Sequence, residues 1–253
     1  MKQQICIVFL VLTVTAAVFG KDFSISVGGG GLLGGFFTRY SLAADGIVEG
    51  AQVKIDAAQE MNQFNYGLYA FFDMYYGVFS VLLRNGINNF NETADVSALR
   101  NNVDQTGKGW DSALGLCILG KYPFNLNKKI SVFPMLGLEY QIALKQKRTQ
   151  ADGWVYNRND GLREKDKDGN AYQTDDWNAF WVKLGGGMDF MLPANFFIRI
   201  ELLYDFRLMT PYESKNLDLM KAQAGDPDPK LKGLTSGPSL RIGAGRRLLS
   251  NGG

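Results

Sequence analysis

The sequence predicts an all-β fold, an eight-stranded antiparallel up-and-down transmembrane β-barrel with four long loops on one side and three short turns on the other. Three observations predict it. Apolar and polar residues alternate with period two over runs longer than the 5–6 residues usual in soluble sheets. Long polar stretches and short links alternate strictly between those runs, which puts every long loop at one end. Beyond residue 20 no stretch offers 18 uninterrupted apolar residues, so a membrane crossing could be made only by strands. The composition agrees, with 4 Trp, 11 Tyr, 17 Phe and 30 Gly among 253 residues.

The chain opens with Met1-Lys2-Gln3-Gln4, an apolar stretch from Ile5 to Phe19, and then Gly20-Lys21-Asp22. A short positive region, an apolar core and small residues before a charged start form a secretory signal, with cleavage expected after Gly20. The domains are therefore a signal peptide over 1–20 and a single barrel over 21–253. Cys6 leaves with the leader, so the mature chain keeps only Cys117 and can form no internal disulfide. Packing and strand pairing must hold the core.

The strands follow in order. Phe23, Ile25 and Val27 alternate with Ser24, Ser26 and Gly28, and the first strand enters a glycine-rich run to about Tyr40. Phe64 to Phe72 and Tyr75 to Arg84 are aromatic-rich and joined across Asp73-Met74. Trp110 to Lys121 sets Leu114, Leu116 and Ile118 against Asp111, Gly115 and Cys117. Ile130 to Lys145 carries Ile130, Val132, Leu136 and Leu138 on one face and Ser131, Gly137, Glu139 and Gln141 on the other. Ala179 to Leu192 opposes Phe180, Val182 and Leu184 to Lys183, Gly185 and Asp189. The clearest strand is Phe196 to Leu208, with Ile198, Ile200, Leu202 and Tyr204 on one parity and Arg199, Glu201, Leu203 and Asp205 on the other. Ser236 to Leu248 closes the set, Leu240 and Ile242 alternating with Arg241 and Gly243. Long connections are expected at 41–62, 85–107, 147–175 and 209–231, and short ones at Asp73-Met74, Tyr122–Lys129 and Pro193-Ala194. The pattern leaves undecided whether Ala43 to Met61 forms a short helix or extends the second strand.

The leader, the eight strands and the loop asymmetry, with phrases such as Phe133-Pro134-Met135-Leu136-Gly137-Leu138-Glu139-Tyr140 and Gly237-Pro238-Ser239-Leu240-Arg241-Ile242-Gly243, carry a resemblance. The chain resembles the small eight-stranded bacterial outer-membrane barrels of the OmpA membrane-domain, OmpX, OmpW and opacity-protein type. It departs from them at its C-terminus, which reads Leu248-Leu249-Ser250-Asn251-Gly252-Gly253 where such barrels end on an aromatic residue. The resemblance implies a monomer in the outer membrane, bathed in its lipid, with loops free to meet host or envelope components. An OmpW-like path for small apolar solutes is the alternative.

Periodicity alone does not say which way the apolar face points. A soluble lipocalin-like barrel would turn it inward around a greasy ligand. Strand length, loop asymmetry and aromatics near strand ends, among them Phe72, Tyr75, Tyr122 and Phe196, favour lipid outside. The opposite parity then faces inward and carries a balanced set of charges. Lys121, Lys183, Arg199, Arg207 and Arg241 are expected to face Asp111, Glu139, Asp189, Glu201 and Asp205 in an interior ion network. An eight-stranded barrel is barely wide enough for its own side chains, so paired charges there predict a plug before a conducting path. These charges concentrate on the later strands; beside the first three a small cavity or slit is expected.

Several chemistries drop out. The chain has no histidine, so a Ser-His-Asp triad, a histidine-ligated zinc site and a histidine general base are excluded. Asp205 and Glu201, flanked by Arg199 and Arg207 on one strand face, read as packed ions before catalytic carboxylates. The formal charge of +2 shows no basic surplus for nucleic acid. Asp166-Lys167-Asp168-Gly169-Asn170 imitates the start of a calcium loop, but Ala171 and Trp177 stand where the glycine and the acidic residue belong. Asn91-Glu92-Thr93 would be a glycosylation site only in a eukaryote. Gly28 to Gly31 lacks the Lys-Ser/Thr ending of a phosphate loop and reads as barrel packing. No enzyme, cofactor or metal is expected.

Overall fold

The computed structural model describes residues 23–48, 51–96, 101–125, 129–150, 155–157, 174–208 and 230–251. Eight long strands carry the fold: β1 Phe23–Val48, β2 Ala51–Asp73, β3 Gly77–Val96, β4 Asn101–Lys121, β5 Ile130–Gln150, β6 Ala179–Met191, β7 Phe196–Arg207 and β8 Lys230–Asn251. Each strand pairs antiparallel with its neighbours in the chain, and β1 pairs β8 from Phe23–Asn251 to Ala43–Lys230. The sheet is thereby closed, with no edge along that length to invite another chain. Two short segments, Phe124–Asn125 and Val155–Asn157, add to β5. The expected leader and the segment from Asp166 to Asn170 lie outside the described residues.

Two stretches differ from the sequence reading. Residues 41–62 and 85–107 were expected as loops, yet most of both are strand: β1 pairs β2 out to Val48–Ala51, and β3 pairs β4 out to Val96–Asn101. Ala43 to Met61 thus extends two strands and forms no helix. The physical reason is that the backbone ladder continues where the apolar face stops. Asn62, Asn89, Asn91, Lys108 and Thr106 point outward there, so no apolar alternation marks the strand.

The short turns lie together at the opposite end. Between β2 and β3, Tyr75 adopts φ 68°, and the Asp73 carboxylate accepts from its backbone N–H at 2.8 Å. That is an Asx-type turn, so β3 starts at Gly77 and not at Tyr75. Between β6 and β7, Ala194 and Asn195 both have positive φ, and Phe196 N–H bonds back to Pro193. This is the pattern of a type I′ hairpin, whose twist matches that of the flanking strands. Aromatic rings meet across this end, Tyr75–Tyr76 and Tyr122–Phe124 edge to face and Tyr76–Tyr122 tilted.

Candidate functional site

The two faces of the wall settle the orientation that periodicity left open. On β7 the buried parity is Phe197, Arg199, Glu201, Leu203 and Asp205, while Phe196, Ile198, Ile200, Leu202, Tyr204 and Phe206 are exposed. Leu202 is 62% exposed and Asp205 0%. The same inversion recurs around the ring, with Phe64, Leu68, Ile87, Leu116, Leu136, Phe180 and Ile242 outside. The outward apolar rows run from Val27 to Phe37 on β1, Phe64 to Phe72 on β2, Trp110 to Ile118 on β4 and Phe196 to Phe206 on β7. Each spans about 9–11 residues, the length a tilted strand needs to cross a bilayer. The barrel is transmembrane. An arrangement with the apolar face inward, as in a soluble lipocalin-like barrel, does not hold.

No protein-family model matches the chain, and no curated protein sequence does. Solved structures do show a likeness. The outer-membrane protein OprG from Pseudomonas aeruginosa aligns over 89% of this chain and 96% of its own, at 12% identity and a TM-score of 0.38. Ail of Yersinia pestis, solved with the heparin analogue sucrose octasulfate, aligns over 90% and 98% at 14% identity and a TM-score of 0.31. The translocator domain of the autotransporter NalP from Neisseria meningitidis aligns over 87% and 88% at 11% identity and a TM-score of 0.27.

The inward parity builds the candidate site in tiers. Nearest the short turns, Arg199 on β7 donates to both oxygens of Asp189 at 2.7 Å and to Asp73 Oδ2 at 2.5 Å. Lys121 at the end of β4 donates to the same Asp73 oxygen at 2.5 Å. Three rings surround the Arg199 guanidinium, with their centroids at 4.8 Å (Phe71), 5.2 Å (Phe133) and 5.1 Å (Phe197). Cross-strand register explains how three rings fit in so narrow a barrel. Phe71 pairs with Gly28, Phe133 with Gly187 and Phe197 with Gly245. A Cβ at any of these glycines would lie within 2.4–2.5 Å of its ring. The glycines clear the floor on which the rings lie.

The middle tier turns on Glu139 of β5. Arg84 of β3 donates to its Oε1 at 2.6 Å, while Lys183 Nζ stands 3.0 Å and Arg241 3.7 Å from Oε2. Lys183 also donates to Asp205 Oδ2 at 2.6 Å. Arg241 lies 3.7 Å from Glu201, which in turn lies 3.8 Å from Arg199 and joins the two tiers. Arg84 is held on its other side by Gln141 at 3.2 Å and by the rings of Phe36 and Trp181.

Eight of the ten inward charges expected from the sequence meet here: Lys121, Glu139, Lys183, Asp189, Arg199, Glu201, Asp205 and Arg241. Asp111 and Arg207 stand nearer the long-loop end. Asp111 accepts from Gln63 at 2.8 Å, and Arg207 donates to the Tyr40 hydroxyl. Their places in the buried set are taken by Asp73 and Arg84, which the sequence reading did not include. Among the described residues the buried charges are Arg84, Lys121, Lys183, Arg199 and Arg241 against Asp73, Glu139, Asp189, Glu201 and Asp205. Strand parity was the available signal for both omissions. Arg84 continues the inward row Val78, Ser80, Leu82, and Asp73 continues Tyr69, Phe71.

A small cavity or slit was expected beside the first three strands; the structure fills most of that sector and leaves a cavity of about 10 Å³ by Gly34, Asn65 and Leu82. Leu32, Tyr69, Phe71, Val78 and Leu82 pack there as part of one buried cluster. A larger hollow, about 520 Å³, lies on the outer wall, over Gly31 and between Leu33, Leu68, Leu83 and Ile242. Among the described residues no group of three or more His, Cys, Asp or Glu is placed to hold a metal ion.

Proposed function

We propose that this is a non-enzymatic outer-membrane barrel whose interior is closed by its ion network and whose long-loop end carries any interaction function, with host or envelope components as partners. The observation that carries the proposal is the inverted burial: among the described residues five buried cations and five buried anions inside, and an apolar belt outside. Water on the outside would leave that belt unpaid for and gain nothing from the buried charges; hydrocarbon on the outside accounts for both. Paired ions in a lumen already filled by Phe71, Phe133 and Phe197 favour a plug over a passage. β1 to β4 run well past the belt on the long-loop side, which offers a polar wall for contact away from the membrane.

Extraction tests the proposal first. The full chain should sediment with membranes, need detergent for release, and migrate differently on a gel before and after boiling. A chain that is folded and soluble without detergent would overturn it. A charge on the belt supplies a second test. Leu202→Arg, in the middle of the outward row of β7, should cost about 2–4 kcal/mol if that row faces the bilayer midplane. The readout is the urea midpoint of refolding into lipid vesicles. A midpoint unchanged from the parent chain would place that face in water, where such substitutions usually stay within about 0.5 kcal/mol.

A further inference from the structure

A small cavity of about 10 Å³ lies inside the barrel between the ion network and the polar residues of the long-loop end. Gly34 forms its floor. In register, Gly34 pairs with Asn65 on β2 and with Ser239 on β8, so a missing side chain faces two polar ones. Arg84, Lys183, Asp205 and Arg241 complete the polar lining. Three polar atoms of these lining residues are buried without a hydrogen-bond partner in the protein: Asn65 Nδ2, Ser239 Oγ and Asp205 Oδ1. Their residues are 1%, 7% and 0% exposed. Their sister atoms are engaged, since Asn65 Oδ1 accepts from Gln63 at 2.8 Å and Asp205 Oδ2 accepts from Lys183 at 2.6 Å.

We infer that this cavity is a binding site for one resident water molecule, which joins the ion network to the polar residues above it. The volume is that of about one water and excludes a phosphate-sized anion or an organic ligand. The chemistry of the unpartnered atoms chooses among small occupants. Asn65 Nδ2 can only donate, Asp205 Oδ1 can only accept, and Ser239 can do either. Water meets all three at once. A halide would suit Asn65, Arg84, Lys183 and Arg241 but would leave Asp205 Oδ1 facing a second negative charge. A metal cation would suit Asp205 but would face the Asn65 amide and three cationic side chains, Arg84, Lys183 and Arg241. Buried donors and acceptors left unmet are costly, and a water that meets them recovers that cost.

The site makes the polar interior continuous. Gln63 donates one N–H to Asp111 and the other to Asn65, both at 2.8 Å. From Asn65 the water passes the connection to Asp205, and from there Lys183, Glu139, Arg241 and Glu201 lead to Arg199 and the short-turn end. A polar column thus runs most of the length of the barrel, with the resident water at its junction.

High-resolution crystal structures of the full chain, in detergent and with bromide in the mother liquor, test the inference. One ordered peak is expected within hydrogen-bond distance of Asn65 Nδ2, Ser239 Oγ and Asp205 Oδ1, without anomalous signal at the bromine edge. An anomalous peak would make this an anion site, and an empty cavity would make it a packing defect; either overturns the water. Gly34→Ala should abolish the peak. The new Cβ enters the cavity, and its nearest neighbours, Pro238 O and Ser239 Cβ, lie at 3.0 and 3.3 Å. Ser239→Val fills the same space from the opposite strand and serves if the glycine variant does not fold. A peak that persists at full height in either variant would show that the water belongs elsewhere.

Discussion

Replacing Arg199 with Met should lower stability by about 3–5 kcal/mol, among the largest losses any single substitution in this barrel can produce. The guanidinium meets Asp189 with two parallel bonds and Asp73 with a third, inside a cage of three rings. Methionine would keep much of the packing and remove the charge, leaving Asp189 buried without its bidentate partner. The destabilisation comes from that stranded carboxylate more than from the lost attraction. The measurement is the urea midpoint in detergent micelles, followed by the gel shift between folded and boiled forms. Arg199→Lys should fall between the parent and the methionine variant, because an ammonium cannot reproduce the planar fork. Adding Asp189→Asn to Arg199→Met should recover part of the loss, and that non-additivity identifies the ion pair as the cause. A midpoint that does not move with Arg199→Met would show that the tier near the short turns is packed by its rings alone.

The legible part of the fold is the part inside the belt. Ile198, Ile200, Leu202 and Tyr204 alternate with Arg199, Glu201 and Leu203 because β7 has hydrocarbon on one side and a crowded polar lumen on the other. That contrast writes itself into the sequence as period two. Beyond Phe37 and Phe64 the contrast ends. Arg39 and Glu60 form an exposed ion pair across β1 and β2, and the ladder continues beneath them with polar residues on the outer face. Backbone pairing there leaves no side-chain signature, so a loop is the natural reading of what is in fact strand.

The interior was legible residue by residue but not as a set. Parity placed Glu139, Lys183 and Asp205 inward, and each is. Whether an inward charge joins its neighbours depends on its height in the barrel, which follows from register and strand tilt and not from parity. Asp111 and Arg207 have the inward parity but stand a tier too high. Asp73 was hidden by its second role, because a residue that shapes a turn looks sufficiently explained by the turn. Its Oδ1 does hold the turn at Tyr75, while its Oδ2 takes both Lys121 and Arg199. The glycines were legible as packing residues. Which rings they receive was not, since Phe71 over Gly28 and Phe197 over Gly245 are contacts between strands distant in sequence or set by register alone.

Glu139→Gln should cost about as much as the Arg199 change, and it probes closure as well as stability. The side chain keeps its shape, but Arg84, Lys183 and Arg241 lose the one carboxylate they share. Lys183 retains Asp205 and Arg241 retains Glu201, whereas Arg84 is left with Gln141 and the rings of Phe36 and Trp181. A loss of about 3–5 kcal/mol is therefore expected to come mainly from Arg84. The double variant Arg84→Met with Glu139→Gln, which removes the stranded cation, should regain most of it. Planar bilayers read the second consequence. The parent barrel, with five charges of each sign in balance, should show no steady conductance. Glu139→Gln carries one net positive charge in the middle tier and a looser packing around it, so brief openings that prefer anions are expected. Steady conductance in the parent, unchanged by the substitution, would mean that ions pass beside the network, and the plug would have to be given up.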